Sequence, residues 1–295
     1  MTAMVRATDE HVYQVDKPAL MERARRPLSA LPRPILRWAG SKQRLLPDLV
    51  NALPDAFGTY YEPFSGSGAL FFLLQPDRAA LGDTCVPVID LYRTIARAPG
   101  EVYEALSNLN PLDKEMYYRV RAERPTEPVR QAANFIYLNR SCWNGLYRVN
   151  SRGEFNVPYG APKTSTLPSR EHVVSCGSAL GKPGVRVAIA DFEESVADAQ
   201  AGDLVFFDPP YVTGHNNNGF VDYNETLFRW ADQERLAACA RALRDSGVHV
   251  IITNADHDAI RTLYSDFRIV EVSRMSTLAN NKQFRRRVTE ALIYS

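Results

Sequence analysis

The segment Leu204-Val-Phe-Phe-Asp-Pro-Pro-Tyr211 decides the fold class of this chain. Four apolar residues are followed directly by an acid, two prolines and an aromatic residue. The apolar run predicts a buried strand of a parallel sheet, and the prolines must end it because they cannot donate to a sheet ladder. The strand would therefore deliver Asp208 to the carboxyl edge of the sheet, where α/β folds bind their ligands.

The turn after this strand combines hydrogen-bond acceptors with an aromatic ring. Pro209 and Pro210 fix a stiff turn, which holds the Asp208 carboxylate and the Pro209 carbonyl beside the Tyr211 ring. Two acceptors beside an aromatic face suit a planar group that carries an NH2, such as a flipped nucleobase. The alternative is an ordinary exit from a strand with an exposed tyrosine, since a short motif is only a hypothesis.

Length and composition predict a large folded core. The chain has 295 residues, of which 45% are hydrophobic, enough for one big domain or for a catalytic domain with an insertion. The four cysteines are scattered without a C-x-x-C pair, which favours reduced thiols over a zinc site or a disulfide framework. No apolar run has the length of a membrane span, so we expect a soluble cytoplasmic protein.

Charge is distributed unevenly along the chain. Residues 114–186 contain 12 Lys and Arg against 5 Asp and Glu, a balance of +7, and the remainder has 23 against 29, a balance of −6. A basic insertion in an acidic chain is typical of a module that contacts phosphates. A solvated basic surface is the alternative.

Two turns early in the chain have the composition of ligand-binding loops. Gly40-Ser41 predicts a turn and N-cap that open a helix, where Lys42 would help to attract a carboxylate. Gly66 and Gly68 follow a short aromatic strand and allow a close approach of the backbone to a ligand. The lysine and hydroxyl of a phosphate loop and a third glycine in G-x-G-x-x-G spacing are absent, which disfavours nucleoside triphosphates and NAD.

Two further predicted strands also end in acids. Asp83 ends the strand that begins at Arg78, and an acid at that place can accept both hydroxyls of a ribose. Asp191 ends the strand from Val185, and with Phe192 it could frame an adenine ring.

Two polar regions have the composition of a nucleic-acid contact. The segment Asn139–Gly160 is dense in Asn, Arg and aromatic residues, the types that contact phosphates, base edges and exposed bases. The segment Asn280–Arg287 is basic and suits phosphate contact or a solvated hairpin. The loop Gly214–Gly219 could close over a substrate.

Four blocks together carry a resemblance to a known family. In order they are Trp38–Lys42, Glu62–Gly68, Asn139–Gly160 and Asp208–Tyr211. Over roughly residues 33 to 294 the chain resembles the Dam-type (D12 class) DNA adenine-N6 methyltransferases. The resemblance implies an α/β fold, a Rossmann-like methyltransferase sheet with an inserted, mainly helical target-recognition domain.

The resemblance also implies a division of the chain from residue 33 onward, with residues 33–114 and 186–295 as the catalytic domain and residues 115–185 as the DNA target-recognition domain. Residues 1–32 lie outside the resemblance, and their polar, proline-punctuated composition predicts a loosely ordered extension.

The implied activity is transfer of the methyl group of S-adenosylmethionine to adenine N6 of a flipped base in duplex DNA, with GATC as the guessed site. Double-stranded DNA is the expected partner, and the resemblance allows a cognate restriction endonuclease as a separate protein. We expect no membrane association, a monomer or weak dimer, and a cytoplasmic location at the nucleoid.

The family's site residues map onto matching positions. The catalytic set is Asp208, Pro209, Pro210 and Tyr211. The cofactor set is Trp38, Ala39, Gly40, Ser41, Lys42, Glu62, Pro63, Phe64, Ser65, Gly66, Gly68, Asp83, Asp191, Phe192 and Asp208. The DNA-contact set combines Arg140, Trp143, Asn144, Arg148, Asn150, Arg152 and Asn156 of the matching 139–160 block with Lys282, Arg285, Arg286 and Arg287, which the basic composition of their segment predicts.

The residue types fit this chemistry, which requires no metal, thiol or histidine. Asp208 and the Pro209 carbonyl would draw the N6 hydrogens out of plane, and Tyr211 would stack on the base. The chain departs from the family after Asp83, where Thr84-Cys85 replaces Ile-Asn, and in its Asn-rich loop. Alternatives are cytosine-N4 methylation, RNA adenine methylation and a non-catalytic DNA-binding protein on the same scaffold.

Overall fold

The structure is a computed structural model that describes residues 12–26, 31–211, 228–275 and 287–295. Its strands are β1 Tyr13–Gln14, β2 Ala56–Phe57, β3 Tyr60–Glu62, β4 Arg78–Asp83, β5 Gly184–Ile189, β6 Leu204–Phe207, β7 His249–Ala255, β8 Arg268–Met275 and β9 Arg287–Tyr294. Its helices are α1 Lys17–Arg25, α2 Leu46–Ala52, α3 Ala69–Leu74, α4 Val86–Arg97, α5 Pro99–Ser107, α6 Lys114–Ala122, α7 Pro128–Ser141, α8 Arg170–Leu180, α9 Phe192–Ser195, α10 Trp230–Asp245 and α11 Asp258–Leu263.

A seven-stranded sheet organises the molecule, with the order β5-β4-β3-β6-β7-β9-β8. The first five of these strands run parallel, and β9 is antiparallel to both β7 and β8. This mostly parallel sheet confirms the predicted α/β, Rossmann-like methyltransferase fold.

The sheet contains a topological switch point between β3 and β6. From β3 the chain adds β4 and β5 on one side, whereas β6 and β7 extend the sheet on the other side. The loops that leave the carboxyl ends of β3 and β6 therefore separate, and they open a crevice of the kind that binds ligands in such sheets. Both the glycine turn after Glu62 and the Asp208–Tyr211 turn border this crevice.

Strand side chains alternate between two hydrophobic clusters, one on each face of the sheet. Phe206 belongs to the larger cluster with Tyr60, and Phe207 belongs to the smaller cluster with Tyr61. Because successive strand residues point to opposite faces, a strand covered on both faces must be apolar throughout. This requirement explains why the run 204–207 shows no polar alternation.

The basic region between α6 and β5 shares the main core of the molecule. Helices α7 and α8 both pack against α4 and α5, and buried residues of all four helices belong to the larger cluster. The Pro, Ser and Gly content of residues 161–184 predicts a linker, but the segment contains α8, so this prediction is wrong for residues 170–180. Val173, Cys176 and Leu180 recur at a helical spacing and are buried there.

The prediction that residues 1–32 form a loosely ordered extension was wrong for residues 12–26. Strand β1 pairs with β2, and Tyr13 stacks on Phe57 with ring centroids 4.7 Å apart. Helix α1 packs against α2 and α3, and its Leu20 is buried. Asp16 caps α1 by accepting from the Ala19 N–H.

The helix predicted to begin at Gly40-Ser41 also differs in detail. Residues Lys42–Arg44 form a 3₁₀ turn, and α2 begins only at Leu46. The Ser41 side chain does not cap this turn, because its Oγ lies 2.9 Å from the Ser67 Oγ. The hydroxyl thus joins the two predicted ligand loops. None of the helices in the described ranges combines the length and apolar composition needed to span a membrane.

Candidate active site

The Asp208 carboxylate follows β6 and lies between a lysine and a threonine. Lys42 Nζ is 2.6 Å from Asp208 Oδ1, and the Thr253 hydroxyl donates to the same oxygen at 2.7 Å. Lys42 Nζ also donates to the Gly40 carbonyl at 2.7 Å, which closes the 40–42 turn around the ammonium group. The 40–42 turn and the turn after β6, which are far apart in the sequence, therefore meet at one oxygen atom.

Burial and charge act in opposite directions on Asp208. Removal from water raises the pKa of the Asp208 carboxyl, and the Lys42 ammonium together with the Thr253 hydroxyl lowers it. The Asp208 side chain is 18% exposed and that of Lys42 is 5% exposed, so each charge depends on the other for compensation.

The Asp208–Tyr211 turn leaves two acceptors without donors among the described residues. Asp208 Oδ1 is occupied as above, and the Pro210 carbonyl accepts from Gln233 Nε2 at 3.3 Å. No described group donates to Asp208 Oδ2 or to the Pro209 carbonyl. These are the two acceptors expected to face an amino group.

Buried amides support the Pro-Pro turn from behind. Gln233 and Asn254 are both fully buried, and Asn254 Nδ2 donates to Gln233 Oε1 at 3.0 Å. Gln233 can therefore keep its own NH2 group directed at the Pro210 carbonyl. These two hydrogen bonds connect the turn to α10 and β7.

The Tyr211 ring is held at two places. Its hydroxyl donates to Glu290 Oε2 at 2.7 Å, and Lys42 Nζ lies 4.8 Å from the ring centroid. Burial raises the pKa of Tyr211 well above its ordinary range, and the Asp208 and Glu290 carboxylates raise it further. The phenol therefore stays protonated and acts as a donor.

The glycine turn after β3 surrounds the Asp83 carboxylate. The Gly66 N–H donates to Asp83 Oδ2 and the Cys85 N–H to Oδ1, each at 2.8 Å. Gly66 has a φ of +40°, and a Cβ atom there would lie 2.9 Å from Trp38 Cδ1. Only glycine fits this position, because the Trp38 ring packs directly on the backbone.

Trp38 and Ser65 lie on either side of this turn. The Trp38 ring stacks on Tyr147 with centroids 5.4 Å apart, so the half-buried indole joins the turn to the 139–160 segment. The Ser65 hydroxyl is buried and has no hydrogen-bond partner among the described residues. An unpaired hydroxyl beside a glycine turn is suited to a polar ligand atom.

Glu62 lies behind the crevice. Its carboxylate accepts from the Tyr60 hydroxyl at 2.9 Å and from the Phe71 N–H at 3.3 Å, and only 2% of the residue is exposed. Burial raises the pKa of the Glu62 carboxyl to about 8. These contacts give Glu62 a role in joining β3 to α3, and a direct contact with a cofactor stays a prediction.

At the far end of the crevice, an arginine holds the Asp191 carboxylate. Arg235 Nη2 lies 3.0 Å from Asp191 Oδ1, which also accepts from the Glu193 N–H. Phe192 is only 3% exposed, it packs on Phe64, and the Arg235 guanidinium lies 4.9 Å from its ring centroid. Asp191 Oδ2 has no donor among the described residues, whereas the Phe192 ring is largely covered.

The remaining predicted cofactor residues line the two loops. Ala39 and Gly40 are exposed, Pro63 and Gly68 are buried, and Phe64 is half-buried. Gly68 has a φ of +63° and begins α3.

Two of the predicted DNA-contact residues in the 139–160 segment, Arg140 and Asn150, make hydrogen bonds within the protein. Arg140 Nε donates to the Ile35 carbonyl at 2.8 Å, and burial lowers the pKa of Arg140 to about 10. Asn150 Oδ1 accepts from the N–H groups of Arg152 and Glu154 and thereby shapes the turn. These contacts favour structural roles for Arg140 and Asn150, and contact with DNA stays a prediction for both.

The other predicted DNA contacts in this segment lie on its surface. Trp143 is 45% exposed, and Asn144 next to it is exposed with a φ of +55°. Arg148 is exposed and donates to Asn156 Oδ1 at 2.8 Å. The Arg152 side chain is exposed at the tip of the turn and has no ion pair or hydrogen bond with a described residue.

Part of the prediction falls outside the described residues. This is true of Lys282, Arg285, Arg286 and the loop Gly214–Gly219, and only the backbone of Arg287 is described. Arg287 pairs with Met275 at the start of β9, and Ala255 at the carboxyl end of β7 pairs with Glu290. The described ends of β8 and β9 thus lie at the same sheet edge as Asp208.

Sequence reasoning missed four supporting residues: Gln233, Thr253, Asn254 and Glu290. Thr253-Asn254 ends an apolar strand in two polar residues, and Glu290 interrupts the apolar strand that runs to Tyr294. A polar residue in a strand with two buried faces is a usable signal, because it must find a partner. Gln233 on an amphipathic helix gives no such signal. Within the described ranges, no group of His, Cys, Asp and Glu side chains could hold a metal ion.

Comparison with known proteins agrees with this geometry. The family described as D12 class N6 adenine-specific DNA methyltransferases matches residues 38–278. A type II methyltransferase of Lactococcus lactis subsp. cremoris, M1.LlaDCHI, is 34% identical over 269 residues, which cover 88% of this chain and 94% of that protein. A DNA adenine methylase of Serratia marcescens is 34% identical over 266 residues, 88% of this chain and 97% of that protein.

A third relative has the same level of identity. The type II methyltransferase M.MjaIII of Methanocaldococcus jannaschii is 34% identical over 263 residues, 81% of this chain and 90% of that protein. The match includes the glycine turn, the 139–160 segment and the Asp208–Tyr211 turn, whose geometry is described above. The chain belongs to the D12 class of N6 adenine-specific DNA methyltransferases.

Proposed function

We propose that this enzyme transfers a methyl group from S-adenosylmethionine to N6 of an adenine that is flipped out of duplex DNA. The observation that carries the proposal is a pair of acceptors without a described donor, Asp208 Oδ2 and the Pro209 carbonyl. They lie on a turn where Asp208 Oδ1, the Pro210 carbonyl and the Tyr211 hydroxyl each have a partner in the protein. A primary amine has two hydrogens for two acceptors. The Tyr211 ring beside them suits the face of a purine.

The crevice fits the cofactor at three points. The buried Ser65 hydroxyl lacks a partner among the described residues, which suits a polar atom near the glycine turn. Each Asp83 oxygen accepts one backbone N–H and retains lone pairs for the hydroxyls of a ribose. Asp191 Oδ2 suits the amino group of the cofactor's adenine. When bound, S-adenosylmethionine supplies a methyl group that is already activated by its sulfonium.

The residues of the chain then act on the acceptor amine. The lone pair of adenine N6 is delocalised into the ring, which makes the amine a poor nucleophile. Asp208 Oδ2 and the Pro209 carbonyl draw its hydrogens out of the ring plane and stabilise the charge that develops at N6. Lys42 and Thr253 favour the ionised form of Asp208 through the other oxygen and hold the carboxylate in place, so that little reorganisation accompanies the reaction.

The exposed side chains of the 139–160 segment form the DNA surface in this proposal. Arg148 and Arg152 would contact phosphates or base edges, and Trp143 with Asn144 would contact bases. Five of the 12 cations of residues 114–186 form ion pairs within the protein, and they are Arg124, Arg130, Arg170, Lys182 and Arg186. The DNA contact therefore rests on only part of this positive charge. We keep GATC as the proposed site, on the resemblance of this segment.

The relatives named type II methyltransferases support a restriction-modification context. We propose a separate cognate endonuclease as partner and action on chromosomal DNA in the cytoplasm. Cytosine-N4 methylation is the second candidate, because the same two acceptors would also face that exocyclic amine.

One experiment separates these outcomes. The purified enzyme is incubated with labelled S-adenosylmethionine and unmethylated plasmid DNA, and modified bases are identified by mass spectrometry and mapped by single-molecule sequencing. The proposal expects N6-methyladenine in one short motif. N4-methylcytosine would replace it with the second candidate, and binding of DNA without any modified base would leave only the scaffold function.

A further inference from the structure

A buried acid on the last strand contacts the aromatic ring of the catalytic turn. Glu290 is completely buried in β9, and its Oε2 accepts from the Tyr211 hydroxyl at 2.7 Å. Its strand neighbours Ala291, Leu292 and Ile293 are apolar and buried, as is Val272, which lies opposite it on β8. A carboxylate in such surroundings is unfavourable unless its oxygens are hydrogen-bonded.

The hydrogen bond to Glu290 defines the orientation of the Tyr211 ring. The start of the side chain is fixed by the Pro210 turn, which Gln233 holds through the carbonyl. The far end is fixed by the phenol, which donates to a carboxylate, the stronger kind of acceptor. With both ends held, the ring has little freedom to tilt, and one position of its plane relative to Asp208 is selected.

We propose that Glu290 is a positioning residue, which orients the Tyr211 ring so that the target base stacks with its amino group at Asp208 Oδ2 and the Pro209 carbonyl. The inference rests on the proposed function and adds to it a residue on a separate strand. Glu290 itself touches neither the base nor the cofactor. It acts through the phenol of Tyr211.

The position of Glu290 in the chain gives this contact a second consequence. Glu290 lies three residues after Arg287, the last member of the predicted basic cluster and the first residue of β9. The strand that orients Tyr211 is therefore continuous with a predicted DNA-contacting segment. Strand β9 thus contains both Glu290, which orients the Tyr211 ring, and Arg287, which belongs to the predicted DNA-contacting segment.

The test uses the full-length enzyme in four forms: wild type, Tyr211→Phe, Glu290→Met and the double variant. Tyr211→Phe keeps the ring and removes only the donor, and Glu290→Met keeps the volume and removes the acceptor. We expect each single variant to lower kcat by about tenfold, with KM for S-adenosylmethionine changed less than about threefold. In the Tyr211→Phe background, Glu290→Met should have no further effect on kcat, because the shared contact is already lost.

Two further measurements separate positioning from general support of the fold. Glu290→Gln retains an acceptor and should restore kcat to within about threefold of wild type. A duplex with 2-aminopurine at the methylated position should show weaker quenching by the Tyr211→Phe enzyme than by wild type, because the ring stacks less regularly. If Glu290→Met does not fold, the other two variants still test the proposal: Tyr211→Phe should lower kcat about tenfold, and Glu290→Gln should keep it within about threefold of wild type.

The outcomes are distinguishable. Wild-type enzyme that methylates no adenine overturns the proposed function, and the inference falls with it. Wild-type enzyme that methylates adenine while Tyr211→Phe keeps full kcat overturns the inference alone. Equal losses from Glu290→Met in the wild-type and Tyr211→Phe backgrounds would also overturn it, because Glu290 would then act independently of the phenol.

Discussion

Lys42 and Asp208 form an ion pair that joins the loop before α2 to the loop after β6, with Lys42 Nζ 2.6 Å from Asp208 Oδ1. Lys42 is 5% exposed, so neither solvent nor another described carboxylate can compensate its charge as closely as Asp208 does. The pair occupies one oxygen of the carboxylate, and the other oxygen has no donor among the described residues. The Lys42 ammonium lowers the pKa of Asp208 against burial, which raises it, and thereby favours the ionised carboxylate.

Replacement of Lys42 by methionine should move the acid limb of the pH–rate profile to higher pH. Burial raises the pKa of Asp208 and Lys42 lowers it, so loss of Lys42 raises it further, and the ionised form is lost at a higher pH as the solution is acidified. Stability should fall by about 3 kcal/mol, since a buried charge loses its partner. Rate profiles from pH 5 to 9 check this.

Lys17→Met is the matched control for the lysine variant. Lys17 pairs with Asp55 at 3.6 Å on the surface, where such pairs contribute little, so its profile and stability should match those of wild type. A Lys42→Met profile superimposable on wild type would contradict the role of the ion pair.

Glu62 should make the protein less stable as the pH rises. The pKa of Glu62 is about 8 in the folded state, against an ordinary value of 4.5, so the folded state retains a proton that the unfolded state has lost. The stabilisation is fully present below pH 4.5 and is lost as the pH rises through about 8. Urea unfolding of wild type and Glu62→Gln at pH 5 and pH 8.5 measures this, and the variant should show the smaller decline. An identical decline in both proteins would show that Glu62 does not titrate in this range.

Gly66→Ala should weaken cofactor binding. The Cβ atom would meet Trp38 Cδ1 at 2.9 Å, and the Trp38 ring or the turn must move. Gly202→Ala is the control, because Gly202 also has a positive φ, +86°, but nothing lies within 4 Å of its Cβ position. Both variants should lose roughly 1–2 kcal/mol of stability from the left-handed backbone, and only Gly66→Ala should raise Kd for S-adenosylmethionine by calorimetry. Equal Kd values for the two variants would contradict the proposed location of the cofactor.

Arg152→Ala should affect DNA binding, whereas Arg140→Ala should affect stability. Arg152 is exposed and has no described partner, so its removal should weaken DNA binding and lower the slope of log Kd against log salt by about 0.9 if it contacts one phosphate. Arg140 donates to the Ile35 carbonyl, so its removal should lower Tm and leave the salt slope unchanged. Fluorescence anisotropy in 50–200 mM salt and thermal unfolding measure both. An unchanged slope for Arg152→Ala would place the DNA surface elsewhere.

The main features of the sheet could be predicted from its strands. Apolar runs that end in Asp83 and Asp208 and an alternating segment that ends in Asp191 indicate strands, and the structure has β4, β6 and β5 at these places. The apolar runs are informative because a strand with two buried faces tolerates few polar residues, whereas β5 lies at the edge of the sheet and is only partly buried. Residues 86–108 have a helical sequence pattern, but they form two helices, α4 and α5, because Pro99 cannot continue α4.

Contacts between segments that are distant in the sequence could not be predicted from local sequence patterns. Nothing near Tyr211 in the sequence indicates a partner 79 positions later, and Gln233 is an ordinary polar residue of an amphipathic helix. Arg140 is a residue type that often contacts DNA, yet α7 packs against residues 34–35, and the Arg140 side chain donates to the backbone carbonyls there. These assignments depend on tertiary packing, which residue type and periodicity do not encode.

The most direct test of the account compares wild type with Asp208→Asn in single-turnover methyl transfer to a duplex that contains the mapped site. The variant keeps an acceptor for Thr253 and the shape of the side chain, but it loses the charge that Lys42 compensates and that N6 requires. We predict a rate lower by a factor of about 10²–10³, with Kd for the duplex within a few-fold of wild type. Transfer at a near wild-type rate by Asp208→Asn would contradict the central role of this carboxylate.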